Sequence, residues 1–195
     1  MLKIYTDILI IFKWIGYLRV ISGTARNKPL LAVEGMDTRP TIDRVKEGVF
    51  SSIQFMVPGA NVLDLFAGTG QMGIECLSRG ANFGVFVDQA PKAIDVTTKN
   101  LKSCGLFDKS RVVNMNSKDF LRTTKDKFDI IFLDPPYNMG ILDEILPNVC
   151  EILSDNGIII AESELGYKPQ GISGLTMVKQ YKYGKVLVTK FQKES

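Results

Sequence analysis

Asp134-Pro135-Pro136-Tyr137 follows directly on the apolar run Phe128-Asp129-Ile130-Ile131-Phe132-Leu133. Proline has no backbone N–H and fixes φ, so a run of this kind stops as a strand and continues as a stiff loop. The loop gathers a carboxylate, free carbonyl oxygens and a flat ring in one place. Those groups suit a planar amino group: the oxygens accept its two hydrogens while the ring stacks on the attached base. Prolines also end strands in unrelated α/β proteins. The tetrad therefore defines a chemistry only together with a second site that supplies the other reactant.

Val62-Leu63-Asp64-Leu65-Phe66-Ala67-Gly68-Thr69-Gly70 has the form of that second site. Its glycines allow a sharp turn and close approach to a ligand, and the helix expected after it offers free N–H groups. Gly68-Thr69-Gly70-Gln71-Met72-Gly73 matches the G-x-G-x-x-G dinucleotide fingerprint, which leaves NAD and S-adenosylmethionine both open. Asp64 tilts the choice, because a dinucleotide strand usually carries an apolar residue there whereas a carboxylate suits the ammonium of a methionine moiety. Asp88 closes the run Phe86-Val87-Asp88, about twenty residues beyond Gly68, where an acid can accept both ribose hydroxyls. Phe66 belongs to the same site, and Asn116-Ser117 is placed to meet an adenine edge; strand-end polar residues also cap loops.

Strands near 62–66, 83–87, 111–114, 128–133 and 157–162, with helices near 70–80, 91–104 and 140–153, would position these residues. Nearly all-apolar strands alternating with helices mean a parallel sheet covered on both faces. Met177 to Tyr183 and Lys185 to Gln192 read as an antiparallel hairpin turning at Gly184. Before the core, Arg19-Val20-Ile21 and Pro29-Leu30-Leu31 flank the polar run Ser22 to Lys28. Thr41 is a plausible N-cap for a helix with Ile42, Val45, Val49 and Ile53 on one face.

Composition removes whole classes of chemistry. With no histidine, imidazole acid–base catalysis, Ser-His-Asp triads and most zinc sites are excluded. Cys76, Cys104 and Cys150 form no C-x-x-C pair and read as small apolar residues, without a disulfide or metal framework. The net charge of +3 is unevenly spread, with basic ends at 19–48 and 178–195 and an acidic middle. That distribution suggests a cofactor domain whose flanks meet a polyanion. Met1 to Leu18 is apolar but interrupted by Lys3, Asp7 and Lys13, so its longest uncharged runs are five residues, far short of the ~20 residues that span a bilayer. Residues 1–18 read as an extension, either an amphipathic helix or sequence upstream of a start at Leu18.

Asp64, Gly68, Gly70, Asp88 and the tetrad follow the motif order of the class I S-adenosylmethionine-dependent methyltransferases, which the chain resembles from residue 60 to about 192. The resemblance implies a Rossmann-like α/β fold, a seven-stranded mixed sheet with a C-terminal antiparallel hairpin, and a small N-terminal β/helix segment. DNA adenine methyltransferases share the tetrad but need a target-recognition domain for which no room remains. Protein-glutamine methyltransferases carry Asn where this chain has Asp134.

Arg19-Val20-Ile21-Ser22-Gly23-Thr24-Ala25-Arg26 and Arg39-Pro40-Thr41-Ile42-Asp43-Arg44-Val45-Lys46-Glu47 resemble the RsmD family, bacterial enzymes that methylate N2 of a guanine in 16S rRNA. Asn27 departs from the family, which usually has glycine in that basic run. The resemblance implies S-adenosylmethionine as cofactor and no metal, with 16S rRNA or the assembling small subunit as partner. The expected setting is the cytoplasm without membrane contact; oligomeric state is unreadable from the sequence, with a monomer the default. The resemblance assigns Asp134, Pro135, Pro136 and Tyr137 to catalysis, and residues 59–195 to the methyltransferase domain. Residues 19–58 form a segment that caps the cofactor and meets RNA. Arg26, Lys28, Arg39, Arg44, Lys182 and Lys185 are the expected RNA contacts. A nicotinamide-dependent oxidoreductase and a ribosome assembly factor with a vestigial pocket stay open at this stage.

Overall fold

The computed structural model describes residues 18–33, 43–136, 140–170 and 172–194. Arg39 and Tyr137, and the residues before Leu18, lie outside them, and of Arg44 only the backbone is described. After helix α1 (Asp43–Ile53), the chain alternates β1 (Asn61–Asp64), α2 (Gln71–Ser78), β2 (Phe83–Asp88) and α3 (Pro91–Cys104). It continues through β3 (Ser110–Asn114), α4 (Ser117–Thr123), β4 (Phe128–Leu133), α5 (Ile141–Ile152) and β5 (Leu153–Glu164). The hairpin of β6 (Leu175–Tyr183) and β7 (Val186–Lys193) closes it.

The seven strands form one sheet in the order β3-β2-β1-β4-β5-β7-β6. The first five pair in parallel, whereas β7 runs antiparallel to both β5 and β6. This is the expected mixed sheet, and its order reverses between β1 and β4, where a crevice opens at the carboxyl ends of the strands. Alternating side chains feed two cores. Val62, Ile130, Phe132, Ile158 and Ile160 face one side with α1, α2 and Leu101 of α3; Leu63, Ile131, Leu133 and Ile159 face the other with α4 and α5.

Two features were not anticipated. Helix α4 has only seven residues, with Phe120 and Leu121 buried, too short for a helical period to stand out from its polar neighbours. Strand β5 starts at Leu153 and passes through Ser154 to Asn156, polar residues that a strand pattern does not favour.

Residues 18–33 form a strap that lies against the C-terminal half of α2. Arg19 and Pro29 make an antiparallel bridge across its base. The amides of Ile21 and Ser22 donate to the Glu75 carboxylate at 2.7 and 2.9 Å. Thr24 N donates to the Ser78 carbonyl at 2.8 Å, and Ala25 N to the Ser78 hydroxyl at 2.9 Å. Gly23 sits at φ 84°, and a Cβ there would lie 1.8 Å from the Ser78 carbonyl oxygen, so only glycine permits the contact. Asn27, the departure from the family pattern, has φ 66°. Asparagine is among the few residues that tolerate this left-handed conformation, so it replaces glycine without changing the turn.

Helix α1 is tied into the same assembly by a buried amine. Lys46 and Glu75 are both 0% exposed, with Nζ 3.8 Å from Oε2. Lys46 Nζ also donates to the Arg19 carbonyl at 2.7 Å, and Arg79 Nε donates to Glu75 at 2.8 Å. Shared hydrogen bonds of this kind make a buried ion pair tolerable. From the other side, Lys190 Nζ of β7 donates to the Ser52 carbonyl at 3.2 Å.

Candidate active site

The site grows from the end of β1. Asp64 is 5% exposed, and its Oδ2 accepts the Gly73 N–H at 3.1 Å, so it caps the first turn of α2. Burial, opposed by that hydrogen bond and reinforced by the Asp88 charge, pushes the Asp64 carboxyl from 3.8 up to about 7. Between β1 and α2, Gly70 turns the chain at φ 76°, and a Cβ there would meet the Thr97 methyl at 2.9 Å. The loop is held from behind by α3. Thr97 Oγ1 donates to the Gly68 carbonyl at 3.0 Å and Asn100 Nδ2 to the Thr69 carbonyl at 2.9 Å. Asn100 also exchanges two hydrogen bonds with Leu31 of the strap, at 2.7 and 3.1 Å.

Asp88, at the end of β2, is oriented by the backbone. Its two oxygens accept the N–H groups of Gly68 at 2.9 Å and Ala90 at 2.8 Å. Each oxygen keeps a further lone pair for a ligand hydroxyl. The neighbouring loop is pinned there by Met115 N and Asn114 Nδ2, which donate to the Asp88 carbonyl at 3.0 and 2.9 Å. Asn116 is the N-cap of α4, its Oδ1 accepting Asp119 N at 2.9 Å, and Ser117 opens that helix.

A pocket at the carboxyl ends of β1, β4 and β5 joins these parts to the tetrad. Asp64, Phe66, Ala67, Gln71 and Met72 line one wall, and Phe132, Asp134, Ile160, Glu162 and Val188 the other. Val45 and Val49 of α1 roof it. Register explains the grouping. Asp64 pairs with Phe132, Phe132 with Ile160, and Glu162 with Val188. Two residues further along each strand returns to the same face, so Asp134 and Glu162 rise beside each other, one layer above Asp64.

The Asp134 carboxyl is held well above the usual carboxylate range, first by the crowding of protein atoms and then by the like charges of Glu162 and Asp64. Asp134 is nonetheless exposed at the pocket mouth, where water softens the first cause. The two neighbouring acids keep the direction upward. Pro135 is buried and Pro136 exposed. No group of three or more His, Cys, Asp or Glu among the described residues is arranged to hold a metal.

The structure thus brings Asp64, Phe66 and Asp134 into one pocket, with Gly68 and Gly70 in the adjoining loop and Asp88, at the end of β2, hydrogen-bonded to it. Lys182 and Lys185 are exposed at the hairpin tip, beside Tyr183, whose hydroxyl packs on the α1 backbone at Gly48. Arg26 and Lys28 are exposed in the strap, at the opposite end of α2 from the glycine loop, about 12 Å away along an eight-residue helix. Thr97, Asn100 and Glu162 were missed by sequence reasoning. For the first two no signal exists, because mid-helix polar residues resemble a solvated face. Glu162 carries a faint one, an acid interrupting the alternating apolar positions Ile158 and Ile160.

Fold, crevice and paired acids define a class I S-adenosylmethionine-dependent methyltransferase. The family described as conserved hypothetical protein 95 matches residues 18–192. The chain is 38% identical to the "Putative rRNA methyltransferase YlbH" of Bacillus subtilis (strain 168), over 90% of this chain and 99% of that protein. It is 34% identical to the ribosomal RNA small subunit methyltransferase D of Haemophilus influenzae, over 76% of this chain and 80% of that protein. Among solved structures, the "Putative methyltransferase yhhF" of Escherichia coli superposes with a TM-score of 0.81 at 31% identity, over 92% of this chain and 99% of that one. The chain belongs to the RsmD family of methyltransferases. Its donor set fits S-adenosylmethionine: a buried carboxylate for the ammonium group, a backbone-oriented carboxylate for the ribose diol, and Phe66 and Met72 as apolar wall. No helix among the described residues is long and apolar enough to cross a membrane.

Proposed function

We propose that this chain methylates the exocyclic N2 of a guanine in 16S rRNA, acting in the cytoplasm on the RNA or on the assembling small subunit. The observation that carries the reading is Asp134 and Asp64 lining one pocket, so that an amino-group acceptor stands beside the cofactor carboxylate. The relatives named ribosomal RNA small subunit methyltransferase D support the substrate class.

S-adenosylmethionine supplies an electrophilic methyl group; the side chains must do the rest. The guanine amino nitrogen is a weak nucleophile because its lone pair is delocalised into the ring. Asp134 and the Pro135 carbonyl accept its two hydrogens, which localises that lone pair on the face opposite the acceptors. As nitrogen takes the methyl it becomes cationic and releases one hydrogen as a proton, which Asp134 is placed to receive. A carboxylate with a raised proton affinity suits that task. Tyr137 stacks on the base, drawn out of its loop as single-stranded RNA bases are when recognised. Within residues 19–58, helix α1 caps the cofactor side through Val45 and Val49. Phosphates are met by Arg26, Lys28, Arg39 and Arg44 there and by Lys182 and Lys185 at the hairpin tip.

Nucleoside mass spectrometry of small-subunit RNA incubated with protein and S-adenosylmethionine tests the reading. N2-methylguanosine should accumulate, and Asp134→Ala should abolish it. Another methylated nucleoside, or full activity in the variant, refutes it. Titration should show binding of S-adenosylhomocysteine and none of NAD.

A further inference from the structure

We propose that Glu162 is the residue that selects guanine, its carboxylate accepting the N1–H of the base whose amino group Asp134 and the Pro135 carbonyl hold. The inference rests on the guanine-N2 reading above and adds a recognition residue to it. Guanine presents N1–H and the N2 amino group side by side on one edge, a row of donors that acceptors alone can match. Asp134 and the Pro135 carbonyl suffice for the amino hydrogens, and any purine with a 2-amino group would satisfy them. Discrimination needs another acceptor, one base-edge position away.

The sheet supplies it. Glu162 stands at the carboxyl end of β5, hydrogen-bonded in parallel to β4, and shares the pocket lining with Asp134. Adjacent strands lie about 4.8 Å apart, while neighbouring ring and exocyclic nitrogens on a base edge are about 2.3 Å apart. The longer glutamate side chain and the tilt of the base make up the difference. Ile158 and Ile160 precede it on the same face as buried apolar residues, and a third would have extended the core without placing like charge beside Asp134. The cost of that placement is visible in the Asp134 carboxyl, which Glu162 helps to raise. A donor edge inserted between the two acids removes the cost.

The test replaces the methylated guanosine, once mapped, with 2-aminopurine riboside in otherwise identical RNA. This base keeps the 2-amino group but has a bare acceptor at N1. Wild-type protein should methylate the guanosine RNA about 10- to 100-fold faster, the worth of one charge-assisted hydrogen bond. In Glu162→Gln, whose amide can donate to the bare nitrogen, the preference should collapse to about unity. Equal wild-type rates on the two RNAs overturn the proposal without any variant. So does a Glu162→Gln protein that slows on both RNAs while keeping the wild-type preference. Absence of N2-methylguanosine from wild-type reactions would instead overturn the guanine-N2 reading itself.

Discussion

Asp64→Asn separates the two demands placed on a buried carboxylate. In the ligand-free protein the acid is a liability, because burial opposes its charge and lifts it from 3.8 to about 7. For a carboxyl raised on folding, the sign is fixed: its contribution is fully present below the unfolded value and lost as pH rises through the folded one. Between about pH 4 and pH 7 the folded protein holds a proton that the unfolded chain has released. The full rise corresponds to about 4 kcal/mol. Relaxation and water entry through the open crevice reduce it to about 2 kcal/mol, or about 4–8 °C in melting temperature for a domain of this size. Asparagine keeps an acceptor for the Gly73 N–H and removes the charge. Ligand-free Asp64→Asn should therefore melt about 4–8 °C above wild type at pH 8 and level with it only near pH 3, below the unfolded value. Asp134 still titrates in the variant and leaves it some pH slope. With ligand the order reverses. S-adenosylhomocysteine, which carries the ammonium group, should bind about 10- to 100-fold more weakly to the variant at pH 8. Differential scanning calorimetry across pH and isothermal titration at pH 8 measure both. Parallel melting curves would refute the burial argument for Asp64, and unchanged affinity its assignment to the ammonium group.

The raised Asp134 carboxyl makes kcat/KM for RNA rise with pH above the usual carboxylate range, since the ionised form accepts an amino hydrogen more strongly and alone can take the released proton; a flat profile from pH 6 to 9 contradicts this. Glu75→Leu strands Lys46 and frees the strap amides, so chemical denaturation should show a loss of about 3–5 kcal/mol. Trypsin should then cleave after Arg26 before the rest of the domain unfolds. Gly23→Ala forces a Cβ onto the Ser78 carbonyl and should release the same strap while leaving the sheet intact, visible as faster amide exchange confined to residues 18–33. Asn100→Ala unhooks both the glycine loop and Leu31; affinity for S-adenosylhomocysteine should fall by about tenfold.

The sheet and its loop acids were readable because their signals are local. An apolar run followed by Asp, or by glycines, reports its own strand end, and Asp64, Asp88 and Asp134 each sit at one. What joins the elements was not readable. Lys46 looks like any surface lysine on a helix, yet it is buried because Glu75 and the Arg19 carbonyl lie opposite it, twenty-seven or more residues away. Ser78, Thr97 and Asn100 are polar residues on helices, and nothing in their spacing marks them as clasps. Glu162 became informative only once the β4–β5 register set it beside Asp134. The N-terminal block reads in sequence as a nucleic-acid flank; the structure adds that the backbone of Ile21, Ser22, Thr24 and Ala25 docks it on α2, with Arg26 and Lys28 among its exposed residues.

The roof of the pocket has a consequence for synthesis on the ribosome. Helix α1 is made early, but Lys190, which fixes it to the sheet through Ser52, follows 138 residues later. At cellular translation speeds that interval is roughly 7–28 s. Throughout it Val45 and Val49 have no β7 to close against, and the wall formed by Val188 does not exist. A nascent chain therefore carries the glycine loop and Asp134 well before it carries a closed pocket. The enzyme becomes competent only as its last strand is inserted between β5 and β6, one place in from the edge of the sheet.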